Sequence, residues 1–105
     1  MLIYNTSFHV SGERTLQQFL TYMRDTYLPA IRQSEVMQHI RFVRLLTDIG
    51  DDVIGYCVMG EVTDVVALKK WRQTVGDQAL AAFHQEFGES VLTFSSTMKE
   101  VELKG

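Results

Sequence analysis

The stretch that decides the fold runs from Leu2 to Val10 and reads L-I-Y-N-T-S-F-H-V. Its even positions are mostly apolar or aromatic, whereas Asn5, Ser7 and His9 occupy odd positions. Period-two alternation with β-branched and aromatic residues is typical of a strand with two unlike faces. We expect the even face to carry the helices. We expect a partner subunit or a ligand to cover the odd face, because a solvated face would more often carry Lys or Glu.

Helical and extended patterns alternate along the rest of the chain. One apolar stripe predicts a helix over residues 13–33, with a kink or an end near Tyr27 and Leu28 because Pro29 removes a backbone donor. Asp64 and Gly88 are suitable N- and C-caps for a second helical region that Gly76 interrupts. The other three patterns predict strands over residues 39–47, 53–62 and 91–103.

The resulting order, βαββαβ, predicts an α+β fold of the ferredoxin-like type in a single domain over residues 1–105. Right-handed crossovers then place both helices on one face of a four-stranded antiparallel sheet with strand order 4-1-3-2. The first and third strands lie at its centre.

The other face of this sheet has no helix to cover it. We expect it to carry two sets of side chains, Ile3, Asn5, Ser7 and His9 from the first strand and Val53, Gly55, Cys57 and Met59 from the third. The second set is too apolar to face water, since large apolar patches mark interaction surfaces. The sequence therefore predicts a homodimer that packs sheet against sheet.

Composition narrows the function classes. The chain has 105 residues, a formal net charge of −3 and no long basic run, which argues against nucleic acid as a partner. No apolar run is long enough for a membrane span, and no signal peptide pattern opens the chain. The single cysteine, Cys57, gives no sign of an oxidising compartment, so we expect a cytoplasmic protein.

Several stretches together resemble one uncharacterised family of bacterial proteins, mostly from Bacteroidetes, classed as a domain of unknown function. They are the opening M-L-I-Y-N-T-S-F-H-V, the segments at residues 27–31 and 41–46, Trp71, and the closing stretch at residues 87–98. The resemblance spans nearly the whole chain. It implies a dimeric α/β-barrel fold and no assigned activity.

The chain is also similar, more broadly, to the dimeric α/β-barrel superfamily, which includes cofactor-free antibiotic-biosynthesis monooxygenases and haem-degrading monooxygenases. The haem degraders use an Asn on the first strand, with a Trp and an axial His in the second helical region. Asn5, Trp71 and His84 hold comparable places, although Gly76 lies between the last two.

Each candidate residue has a functional and a structural interpretation. His84 lies on the apolar stripe of the second helical region and is either a haem ligand or a half-buried packing residue. Trp71 either stacks its ring against a flat ligand or is a core side chain. Asn5, Ser7 and His9 share one strand face, where they form either a ligand pocket or a polar ladder across a dimer interface. No spacing of His, Cys or carboxylate residues is typical of a metal site.

The leading hypothesis is a small homodimer that binds a ligand or partner, with no cofactor and with Asn5, Ser7, His9, Trp71 and His84 as candidate ligand-binding residues. One alternative is a cofactor-free or haem-dependent monooxygenase. Another is a regulatory module that senses a small molecule such as an amino acid or a small aromatic compound.

Overall fold

The computed structural model describes residues 1–104, and Gly105, the last residue of the predicted domain, lies outside the described residues. Its four strands form a single sheet with the order β2-β3-β1-β4. The strands are β1 (Leu2–Ser11), β2 (Gln38–Leu45), β3 (Val53–Val62) and β4 (Val91–Lys99). The helices are α1 (Glu13–Tyr22), α2 (Leu28–Ile31), α3 (Val65–Trp71) and α4 (Asp77–Phe87), followed by a short 3-10 turn at Gly88–Ser90.

The central position of β1 is confirmed. It pairs antiparallel with β3 from Leu2↔Val62 to Ser11↔Val53, and with β4 from Leu2↔Lys99 to Val10↔Val91. The observed order is the predicted 4-1-3-2 order, so the ferredoxin-like prediction is correct.

The even side chains of β1 face the helices, as the alternation predicts. The ring of Phe8 lies 5.5 Å from that of Phe19 in α1 and 5.0 Å from that of Phe83 in α4, centroid to centroid. All three side chains are fully buried. The aromatic cluster that they form fills the space between sheet and helices and fixes which face of the sheet stays uncovered.

The first helical region contains a π-helical segment at Met23–Tyr27, between α1 and α2. Pro29 follows in the first turn of α2, and the backbone remains helical through Tyr27 and Leu28. The helix therefore does not end near Tyr27 and Leu28 as predicted, and the irregularity of this region is the π-helical segment that ends at Tyr27.

The second helical region has a matching π-helical segment at Arg72–Gly76, between α3 and α4. The prediction that Gly76 breaks this helix is wrong, because its φ of −64° and ψ of −48° are helical. A Cβ at Gly76 would lie 2.3 Å from Cζ3 of Trp71. Glycine is needed here to admit the indole ring. Asp64 caps α3 as predicted, by accepting a hydrogen bond of 2.8 Å from the backbone of Ala67.

Three strands differ from their predicted bounds. β1 extends one residue further, to Ser11. β2 begins one residue early, ends two residues early at Leu45, and contains a bulge between Gln38 and Arg41, where His39 takes a φ of 52°. β4 ends at Lys99, whereas the alternation predicted an end at residue 103. No helix within residues 1–104 is long and apolar enough to cross a membrane.

Candidate functional site

We call the face of the sheet opposite the helices the open face. Its residues follow from the register, because side chains on paired positions point the same way. They are Ile3, Asn5, Ser7 and His9 of β1, Arg41, Val43 and Leu45 of β2, Val53, Gly55, Cys57, Met59 and Glu61 of β3, and Leu92, Phe94, Ser96 and Met98 of β4.

The open face is predominantly apolar and exposed. Five large apolar residues on its two edge strands are each 38% to 55% exposed: Val43, Leu45, Leu92, Phe94 and Met98. The predicted grouping of the β1 and β3 side chains on this face is correct, and the two edge strands enlarge the apolar area. Water contact at this many large side chains is unfavourable by about 25 cal/mol for each Å² of apolar surface.

A line of polar side chains crosses the centre of this face. Asn5 Nδ2 donates a hydrogen bond of 3.0 Å to Ser7 Oγ, and Ser7 Oγ lies 3.5 Å from Cys57 Sγ. The Asn5 Oδ1 atom is buried and has no hydrogen-bond partner within residues 1–104. The His9 ring packs 5.1 Å from the ring of Phe94. The structure thus brings Asn5 and Ser7 together, while His9 belongs to the adjoining aromatic contact.

A cleft of about 240 Å³ crosses one end of the open face. All four strands contribute to its lining. Ile3 lies near the start of β1, Arg41 directly after the β2 bulge, Met59 on β3, and Glu100 directly after β4. No sequence pattern indicated this cleft. Arg41 pairs with Met59 and Arg44 with Tyr56, so the two arginine side chains point to opposite faces of the sheet.

His39 and Glu61 form a close pair on the wall of this cleft. The distance from His39 Nδ1 to Glu61 Oε2 is 2.7 Å. An ionised carboxylate can only accept a hydrogen bond, so His39 Nδ1–H is the donor. This fixes the orientation of the imidazole ring and leaves its Nε2 atom free for another partner.

Trp71 lies on the opposite side of the sheet from Asn5. It is 3% exposed, and its ring meets the ring of Tyr4 edge to face at 5.9 Å. Its Nε1 atom is buried without a partner in the described chain. The hydrogen bond from Arg72 to Asp77, and then the proximity of Tyr4, raise the pKa of the Arg72 guanidinium, which lies 5.9 Å from the Tyr4 ring centroid. The geometry matches the core interpretation of Trp71.

The prediction that His84 lies within the apolar stripe is wrong. His84 is exposed, and its Nε2 atom lies 3.1 Å from Oγ1 of Thr93 on β4. Phe83 and Phe87 carry the buried side of α4. Successive helical residues are about 100° apart, so the position after Phe83 turns out of the core.

The residues that the broader resemblance assigns to haem do not form one site. Asn5 is on the open face, Trp71 is buried on the helix side, and His84 is on the surface against Thr93. A haem ligated by His84 would have neither Asn5 nor Trp71 as a neighbour, so these side chains do not fit that cofactor. Within residues 1–104, no three His, Cys, Asp or Glu side chains are grouped in a way that could hold a metal ion.

A larger groove of about 680 Å³ lies on the outer surface between α1 and α4. Its charged side chains, Asp25 and Glu86, are both acidic, and Tyr22 and Phe87 line it between them. The hydrogen bond from Arg24 lowers the pKa of the Asp25 carboxyl. Asp25 is thus already paired with a cation, and Glu86 is the other acid of the groove.

The family of the chain follows from its sequence. A model of the family described as Domain of unknown function (DUF4286) matches residues 1–101. The chain belongs to this family. The resemblance to a domain of unknown function is thus confirmed, and the link to Bacteroidetes stays a prediction. No curated protein matches the sequence.

Three solved structures illustrate the fold of this DUF4286 chain. An EthD family protein from Bacillus halodurans is 16% identical, with a TM-score of 0.71 over 96% of this chain and 100% of that one. A candidate antibiotic biosynthesis monooxygenase from Deinococcus radiodurans is 17% identical, with a TM-score of 0.64 over 100% and 97%. A dimeric ferredoxin-like protein from an uncultured marine organism is 10% identical, with a TM-score of 0.60 over 98% and 97%. At these identities the likeness concerns the fold alone.

Proposed function

We propose that this DUF4286 protein is a small homodimeric binding module whose two open faces pack against each other. The observation that carries the proposal is the row of large apolar side chains on the open face, five of them 38% to 55% exposed. A contiguous apolar patch with a few polar groups is typical of an interface between protein chains.

The size of the open face suits a dimer. Four strands about 4.8 Å apart and eight to ten residues long cover roughly 600 Å² in projection. Accessible area exceeds projected area because side chains stand out from the sheet. The face therefore approaches the roughly 800 Å² per partner of a standard interface.

One further observation supports a second copy as the occupant. The solved structure from the uncultured marine organism, which shares this fold, is described as dimeric. In the proposed dimer, the polar line of Asn5 and Ser7 lies within the interface.

The protein acts by binding, in this proposal, and needs no cofactor. Within the described chain, Ser7 and Cys57 form their side-chain hydrogen bonds with each other and with Asn5, so neither is bonded to a general base. The likeness to a candidate monooxygenase carries the fold and no residue role. The proposal places the protein in the reducing cytoplasm, where a free thiol such as that of Cys57 is the usual state of cysteine.

Light scattering coupled to size-exclusion chromatography tests the dimer. We expect twice the chain mass at micromolar concentration, and the mass of one chain for Phe94→Asp, because the new charge would be buried against apolar side chains. Val66→Asp is the matched control, since Val66 is 77% exposed on α3, away from the open face. A wild-type protein with the mass of one chain would contradict the proposal.

A titration with hemin tests the cofactor part of the proposal. We expect no saturable Soret band, because Asn5, Trp71 and His84 are separated. A saturable band that His84→Ala removes would contradict this expectation and favour the monooxygenase alternative.

A further inference from the structure

The β-bulge of β2 gives the cleft on the open face its distinctive chemistry. His39 and Ile40 together oppose Gly60, and His39 takes a φ of 52°, a conformation uncommon for a residue with a Cβ. Bulges of this kind re-aim a side chain and occur often next to binding sites. Here the bulge turns the imidazole ring toward Glu61 and the cleft.

The cleft contains one cation and one anion that are not used elsewhere. Arg41 and Glu100 line it, and neither forms an ion pair with another residue of the described chain. The Glu61 carboxylate, in contrast, already accepts a hydrogen bond from His39 Nδ1. The site therefore offers a free guanidinium, a free carboxylate and the free Nε2 acceptor of His39.

The rest of the lining is apolar and the space is small. Ile3 and Met59 line the cleft from the two central strands. The volume of about 240 Å³ is below the range of roughly 300–1,000 Å³ that is typical for drug-sized ligands. A small molecule with both charges and a short apolar part matches this combination.

We infer that this cleft binds a free α-amino acid with an apolar side chain. The Arg41 guanidinium donates two parallel hydrogen bonds to the carboxylate of the amino acid. The Glu100 carboxylate and His39 Nε2 accept hydrogen bonds from the ammonium group, and the ligand side chain lies on Ile3 and Met59. Glu61 is a positioning residue, because it acts through the His39 ring. The inference rests on the proposed dimer, in which the facing copy covers the cleft.

Isothermal titration calorimetry with L-leucine, L-methionine and L-phenylalanine tests the inference. We expect saturable binding of at least one of them. Isoamylamine lacks the carboxylate of leucine and 4-methylpentanoate lacks its ammonium group. Each should bind about tenfold or more weakly than leucine, because each leaves a charged group of the cleft without its partner.

Charge-removing variants assign the two ends of the ligand. Arg41→Gln should weaken leucine binding about tenfold and remove the preference for leucine over isoamylamine. Glu100→Gln should remove the preference for leucine over 4-methylpentanoate. Arg44→Gln is the matched control, because Arg44 carries the same charge on the same strand but points to the opposite face of the sheet.

Three results would overturn the inference: no saturable heat with any of the three amino acids, equal binding of leucine and both analogues, or equal losses in Arg41→Gln and Arg44→Gln. Light scattering on the same samples separates this failure from failure of the proposed function. A dimer that binds no amino acid rejects the ligand alone, whereas a monomer rejects the dimer itself.

Discussion

Because Gly76 contacts Trp71, the substitution Gly76→Ala has two opposing effects on stability. Alanine has the higher helix propensity and would favour the helix by about 1 kcal/mol. However, the alanine Cβ would lie 2.3 Å from Cζ3 of the Trp71 ring, and this ring is buried and cannot easily move away. We expect steric crowding to prevail, so Gly76→Ala should lower the free energy of unfolding by about 1–3 kcal/mol in a urea titration.

A double-mutant cycle distinguishes this contact from other effects at Gly76. Trp71→Phe removes the part of the indole ring that meets the new methyl group. In that background, Gly76→Ala should be neutral or stabilising. An equal loss in both backgrounds would show that the indole ring is not the cause.

The hydroxyl of Tyr27 makes stability depend on alkaline pH. Burial, and then the proximity of Tyr4 and Tyr22, raise the pKa of the Tyr27 hydroxyl far above its ordinary value of 10.0. A raised pKa means that the folded state holds the proton more tightly, so the contribution is complete below pH 10 and is lost as pH rises toward the folded pKa.

We expect the wild-type protein to lose about 1.4 kcal/mol of stability per pH unit above pH 10 through this one group. Tyr27→Phe removes the ionisable hydroxyl, so its stability should fall less steeply between pH 10 and 12. Denaturant titrations at several pH values measure both slopes. Parallel curves for the two proteins would contradict the assignment to Tyr27.

At the scale of elements, the strands were predictable from sequence and the helix faces only partly. Alternation along β1 fixed both faces of the sheet, because a strand has a side-chain period of two and no other regular option. The helix pattern assumed 3.6 residues per turn throughout. Phe19, Met23, Tyr27 and Ile31, all buried, are spaced by four residues. A regular helix would drift about 40° at each such step, and the wider π turn absorbs the drift.

His84 was misplaced for a different reason. It follows Phe83 directly, and the apolar pattern of this region does not settle which of two adjacent helical residues, about 100° apart, faces the core. The structure buries Phe83 and Phe87 and turns His84 toward Thr93. The cleft was not predictable because the β2 bulge contains no glycine or proline, the residues that usually mark an irregular strand. Only the pairing of the strands in three dimensions brings Glu61 and Glu100 close to His39.

The β2 bulge predicts a ranking of substitutions at His39. A positive φ of 52° is accessible to Gly and Asn but strained for a β-branched residue. His39→Val should therefore destabilise the protein by about 1–3 kcal/mol, while His39→Gly and His39→Asn lose only the exposed pair with Glu61, worth about 0–1 kcal/mol. Chemical denaturation gives the ranking. Val tolerated as well as Asn would mean that the bulge is not maintained in solution.

At the scale of the whole molecule, the two faces of the sheet have different energetic roles. The helix side holds a filled aromatic core around Phe8, Phe19 and Phe83, which one chain completes alone. The open face combines a comparable number of large side chains with no cover from the same chain. In the proposed dimer, folding and association are therefore linked, because the cover for the open face comes from the second copy.

This linkage predicts that thermal stability depends on protein concentration. Each tenfold increase in concentration favours a dimer by about 1.4 kcal/mol, or about 0.7 kcal/mol per chain. Since 1 kcal/mol shifts the Tm of a domain of this size by roughly 4–8 °C, we expect a rise of roughly 3–6 °C per tenfold concentration. Differential scanning calorimetry from micromolar to near-millimolar protein measures it.

The matched variants decide what such a shift means. Phe94→Asp should abolish the concentration dependence, because the charge would keep the open faces apart, while Val66→Asp should retain it on the exposed side of α3. Loss of the dependence in both variants would point to general destabilisation, and a flat Tm in the wild-type protein would mean that the open face tolerates water. Loss of the concentration dependence in Phe94→Asp alone would show that a second copy of this chain buries the apolar side chains of the open face.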